Sequence, residues 1–136
     1  MDGHESMAAM MKALGHPARL QILDVLARED AACVCHLEGV LDRPQAYISQ
    51  HLARLREAGL VVDRRDGMNV FYALAGESLV PLLGEARRAA EALARASGVS
   101  ITFSEVPPAD PARCPCPKCR EKAVEAGIPQ EASTRG

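Results

Sequence analysis

Between Glu5 and Leu14 the apolar residues Met7, Met10, Met11 and Leu14 recur at the three- and four-residue spacing of a helix with one buried face. Gly15-His16-Pro17 ends that helix, because glycine suits a C-terminal cap and proline opens a new first turn. A second helix is predicted from about Pro17 to Arg28, with Leu20, Leu23 and Ala27 inward and Ile22, Val25 and Leu26 widening the stripe. A short helix from about His36 to Leu41 and the break Asp42-Arg43-Pro44 come next. The following helix, about Pro44 to Ala58, sets Ile48, Leu52 and Leu55 on one face and Gln50, Arg54 and Glu57 on the other, and Gly59 closes it. Leu60 to Arg64 and Asn69 to Leu74 read as strands around Arg65-Asp66-Gly67-Met68, since Asp-Gly is a hairpin-turn signal between β-branched and aromatic residues. A long helix spans Glu77 to Ala96, with Leu79, Leu82, Leu83, Ala86, Ala90 and Leu93 along one side.

Beyond it, Ser100 to Val106 alternates enough for a short strand or extended arm. A stretch holding Pro107, Pro108, Pro111, Pro115 and Pro117 then lacks its own core, and Arg120 to Ala126 has room for one or two helical turns. The expected fold is mainly α with a small β-hairpin, ordered α-α-α-α-β-β-α. Residues 1–98 form the folded unit and residues 99–136 an extended tail. A short helix, a tight turn and a second helix with a polar outer face follow the helix-turn-helix plan, and the hairpin makes the wing of a winged helix-turn-helix.

That plan points to double-stranded DNA. Gln50 and Ser49 are the candidates for base edges, with Gln45, Tyr47 and Arg54 beside them and Arg64 and Arg65 placed for phosphate. The formal net charge of −2 argues against a protein that coats nucleic acid without selectivity. Between Arg43 and Asn69, however, five arginines stand against three carboxylates, leaving a local +2. A small domain cannot bury the whole apolar side of the last helix, so Leu79, Leu82, Leu83, Ala86, Ala90 and Leu93 are expected at a homodimer interface. Two such subunits would set their reading helices about 34 Å apart, in successive major grooves of an inverted repeat. The core must be aliphatic, because the chain has no Trp and only two Phe and two Tyr. No apolar run reaches the roughly 18 residues of a membrane span, and Met1 to Glu5 lacks the pattern of a signal peptide. The expected location is cytoplasmic, without membrane contact.

In a reducing compartment clustered cysteines point to metal or redox chemistry rather than structural disulfides. All five cysteines fall in two clusters, Cys33-Val34-Cys35-His36 and Cys114-Pro115-Cys116-Pro117-Lys118-Cys119. Cysteines two apart on a regular helix point about 200° apart, whereas in extended chain they share a face. Chelation by Cys33 and Cys35 therefore demands a frayed helix start. Two sulfurs also fall short of the three or four that soft ions take, so Cys114, Cys116 and Cys119 are candidates to complete the site, with His36 a possible ligand. Three sulfurs suit arsenite or antimonite, and four suit cadmium, lead or zinc. A thiol redox or persulfide sensor and a constitutive DNA binder with structural zinc remain alternatives. An enzyme is not expected, for no phosphate loop, second domain or carboxylate pair accompanies the thiols. His16 and His51 are expected to be structural or phosphate-facing, and His4 to lie in a loose end.

The strings Leu14-Gly15-His16-Pro17-Ala18-Arg19-Leu20-Gln21-Ile22-Leu23 and Ile48-Ser49-Gln50-His51-Leu52-Ala53-Arg54-Leu55-Arg56-Glu57-Ala58-Gly59-Leu60-Val61 resemble the ArsR/SmtB family of metal-sensing winged-helix repressors. The resemblance covers roughly Met7 to Ala96. Cys33-Val34-Cys35-His36-Leu37 is similar to the Cys-Val-Cys-Asp-Leu box of the arsenite- and cadmium/lead-sensing branches, with His36 replacing the acid. It implies a repressor released from DNA when its thiolates bind an ion. A second family site, built from acidic and histidine residues on the last helix, should be absent, since Leu79 to Ala96 contains no histidine.

Overall fold

A computed structural model describes residues 2–104, which fold into five helices and a three-stranded sheet. Helix α1 spans Gly3–Leu14, α2 Pro17–Glu29, α3 Val34–Leu41, α4 Gln45–Glu57 and α5 Leu79–Ala96. Strand β1 is Ala32–Cys33, β2 Val61–Asp66 and β3 Asn69–Leu74. Asp2 caps α1 by accepting from the Glu5 amide at 3.2 Å, so His4 lies inside a helix rather than in a loose end. His16 caps α2, its Nδ1 accepting from the Ala18 amide at 3.1 Å, and Pro17 takes the first helical position.

Ile22, Leu23, Val25, Leu26, Leu37, Ile48, Leu52 and Leu55 form the centre of the core and are virtually inaccessible to water. Each such side chain contributes roughly 1.5–3 kcal/mol through burial. Within α2 the inward face is rotated from the expected one: Leu20 is 40% exposed, while Ile22, Val25 and Leu26 are buried. The wing hairpin has a shorter turn than the sequence suggests. Strand β2 continues through Asp66, which pairs with Asn69, leaving only Gly67 and Met68 in the loop. Gly67 has φ +63°, which its missing Cβ permits at the first loop position.

The hairpin also has a third strand that the chain pattern did not announce. Ala32 pairs with Tyr72 and Cys33 with Phe71, antiparallel, giving the sheet order β1-β3-β2. The first cysteine cluster is thus welded to the wing. Left-handed backbone brackets this segment at Asp30, with φ 66°, and Asp42, with φ 52°.

After α5, Gly98 turns the chain at φ +74°, and residues 101–104, part of the stretch expected as a short strand or extended arm, carry no strand pairing. The Arg87 guanidinium sits 4.4 Å over the Phe103 ring and reaches Asp24 on α2 at 3.0 Å, tying arm, α5 and α2 together. Burial pushes the Asp24 carboxyl up, against the opposing pull of Arg87 and Arg28. The tail cysteines, the prolines from Pro107 onward and the turns expected near Arg120 lie outside the described residues. None of the described helices is long and apolar enough to cross a membrane.

Candidate DNA-binding face and thiol site

Helix α4 is anchored by Ile48, Leu52 and Leu55, which leaves Gln45, Gln50 and Arg54 on its exposed side. Tyr47 and Ser49 are half-buried. Tyr47 packs against the core and meets the His51 ring edge-on at 4.7 Å, so it is a wall of the reading face more than a free contact. The Arg43 guanidinium lies 5.2 Å over the same tyrosine ring. Arg54 pairs loosely with Glu57 at 3.5 Å, and Arg56 bridges to Asp63 at 3.2 Å, clamping α4 to the wing. Arg64 and Arg65 are exposed on β2, and the loop residue Met68 is almost wholly exposed.

His51 is a structural residue. It is buried, its Nδ1 accepts from Arg19 Nε at 3.2 Å, and its ring lies 4.3 Å from that of His16. Burial holds its imidazole below the usual histidine range, with the charges of His16 and Arg19 acting in the same direction.

Cys33 is buried beside Phe71, and Cys35 is half-buried in the first turn of α3. Helix α3 begins at Val34, two residues earlier than expected, with Cys33 as its extended cap at φ −85°, ψ 166°. Because Cys33 belongs to strand and Cys35 to helix, the two side chains converge, with their sulfurs 2.7 Å apart. The fraying demanded of a regular helix is therefore unnecessary; the strand-to-helix junction already supplies it. His36 is buried and bonds through Nε2 to Glu29 Oε2 at the end of α2. That partner, invisible to any local motif, commits one imidazole nitrogen elsewhere.

Whether a soft ion fits is a question of donor count. The described residues bring two thiols together, and among them no group of three or more His, Cys, Asp or Glu is gathered that could hold a metal. Cys114, Cys116 and Cys119 lie outside the described residues. On α5, Leu79 is buried in its own core rather than offered to a partner, Leu82 and Leu83 are half-buried, and Ala86, Ala90 and Leu93 are exposed.

A three-helix core, a helix pair joined by a tight turn and a hairpin carrying two exposed arginines define a winged helix-turn-helix DNA-binding protein. Residues 16–62 match the family model described as bacterial regulatory protein, arsR family. An HTH-type transcriptional regulator of Methanocaldococcus jannaschii is 43% identical over 72 residues, 53% of this chain and 81% of that protein. The arsenic resistance transcriptional regulator ArsR1 of Pseudomonas putida is 45% identical over 65 residues, 48% of this chain and 51% of that protein. The solved homodimeric winged helix-turn-helix DNA-binding domain of a possible ArsR-family regulator from Mycobacterium bovis superposes with a TM-score of 0.59 at 32% identity. That match covers 63% of this chain and 79% of the other. The chain belongs to the ArsR/SmtB family of winged-helix regulators: it is a DNA-binding transcriptional regulator, not an enzyme.

Proposed function

We propose that the protein is a homodimeric repressor that holds operator DNA through α4 and the wing and releases it when a soft ion occupies its thiols. The observation carrying this reading is the convergence of Cys33 and Cys35 at the β1–α3 junction, the segment that leads into α4. One sulfur sits on the sheet that carries the wing and the other on the helix that packs against α4, so an ion held by both would bear on both DNA-contacting elements.

Cys114, Cys116 and Cys119 would supply the remaining sulfurs, which divides the chain into a DNA-binding and dimerisation unit, residues 1–98, and a tail, residues 99–136. Arsenite or antimonite is the favoured inducer, a choice supported by similarity to the arsenic resistance regulator of Pseudomonas putida. Cadmium, lead or zinc would require four sulfurs. His36 acts here as a positioning residue through Glu29. The exposed Ala86, Ala90 and Leu93 face of α5 supports the homodimer, as does the homodimeric Mycobacterium bovis domain.

Fluorescence anisotropy of a labelled operator duplex tests the reading. Arsenite should release the wild-type protein, and Cys33→Ser or Cys35→Ser should abolish that release. Unchanged release in both variants contradicts the assignment. The close sulfurs also favour a second reading: two-electron oxidation to a Cys33–Cys35 disulfide by a peroxide, itself reduced to water with the two thiol protons. Release by hydrogen peroxide but not by arsenite would select it, and indifference to both would leave a constitutive DNA binder.

A further inference from the structure

The His16–His51 pair lies apart from the thiols and joins three elements. From α2, Arg19 donates through Nε to His51 Nδ1 at 3.2 Å and through Nη1 to the Ala13 carbonyl at the end of α1 at 3.1 Å. The His16 ring meets that of His51 at 4.3 Å, tilted by 43°, while its own Nδ1 accepts from the Ala18 amide at 3.1 Å. From α4 itself Tyr47 closes the cluster at 4.7 Å, with Arg43 beyond it over the tyrosine ring. Among the described residues no carboxylate pairs with Arg19 or with either imidazole. His51 accepts at Nδ1 from a guanidinium N–H, so that bond requires its neutral imidazole, with the proton on Nε2.

We propose that Arg19 and His16 are positioning residues for the DNA-reading helix, acting through His51, and that they hold α4 in place only while the His51 imidazole is neutral. Protonating His51 turns the nitrogen that faces Arg19 Nε–H into a second donor, so the bond becomes a repulsion. Mild acid therefore loosens α4 from α2 and weakens DNA binding.

The sign follows from linkage. The folded state holds His51 below its usual pKa, so the unfolded chain binds more protons near the ordinary histidine value of about 6.5, and stability rises with pH there. The contribution is whole above that value and is lost as pH falls below it. The direction is distinctive, since added positive charge at a DNA-binding surface ordinarily tightens binding to phosphate.

The inference rests on α4 as the reading helix, and the test separates the two. In the full-length protein without DNA, amide hydrogen exchange of residues 45–57 is followed from about pH 7.5 to 5.5 after correction for intrinsic exchange. Protection of α4 should fall in the wild type and stay level in a His51→Gln variant, whose side chain still accepts but does not titrate. If that variant does not fold, His51→Asn serves in its place. Anisotropy with a duplex selected from a random pool at neutral pH should then show about tenfold weaker wild-type binding at the acidic end, and less than about threefold weakening in the variant. Flat protection in the wild type, or an equal fall in the variant, overturns the positioning role. Falling protection with unchanged DNA affinity would keep the latch but reject α4 as the reading helix.

Discussion

Helices α3 and α4 are neighbours joined by three residues, yet their anchoring differs in kind. Helix α4 rests on Ile48, Leu52 and Leu55, is clamped to the wing by Arg56–Asp63, and is held by Arg19 through His51. Its polar face is free because every other side is engaged. Helix α3 has eight residues against thirteen in α4, and a start shared with a two-residue strand. The bond from His36 to Glu29 reaches across to the end of α2, and the paired sulfurs lie at the junction itself. A reading element profits from rigidity, whereas a sensing element profits from a start that a small displacement can rearrange.

Substitutions that break or sharpen this contrast should rank by how much of each anchor they remove. Leu52→Ala should cost about 2–5 kcal/mol, because it empties a fully buried site between α4 and the core. Thermal unfolding should show it, with a loss below about 1 kcal/mol rejecting α4 as the rigid half. Next, Gln50→Ala should cost about 1–3 kcal/mol of discrimination at one operator position. Arg64→Ala should weaken binding to all sequences and reduce the salt slope by about 1. A change of sequence preference in the arginine variant would reassign the wing. His36→Gln should lower stability by about 1–3 kcal/mol, since it disturbs a buried hydrogen bond, yet leave the ion-to-chain stoichiometry unchanged. A lost ion would instead make His36 a ligand. The smallest effect belongs to Arg87→Ala, under about 1 kcal/mol, because its pair with Asp24 is partly exposed.

Much of this was legible in the chain. Helical periodicity located α1, α2, α4 and α5 to within two residues at each end, and the buried face Ile48, Leu52 and Leu55 came out as read. The helix-turn-helix plan was equally open, because capping and turn chemistry are local. What escaped was non-local. Strand β1 exists through pairing with Phe71 and Tyr72, almost forty positions away, and two residues carry no alternation to detect. The pairing of Glu29 with His36 and of Arg19 with His51 likewise depends on how α2 packs, not on spacing within a motif. Leu20 was misplaced because a broad apolar stripe on α2 leaves the inward direction underdetermined. His16 offered a local signal, an acceptor directly before a first-turn proline, and it is a helix cap.

The most direct test of coupling between the thiols and the reading helix is amide hydrogen exchange across residues 34–57 with and without arsenite, with ion uptake followed by thiolate absorption. Uptake should lower protection at the start of α3 and then in α4, and Cys33→Ser should abolish both changes. Uptake at Cys33 and Cys35 with α4 protection unaltered would contradict the coupling.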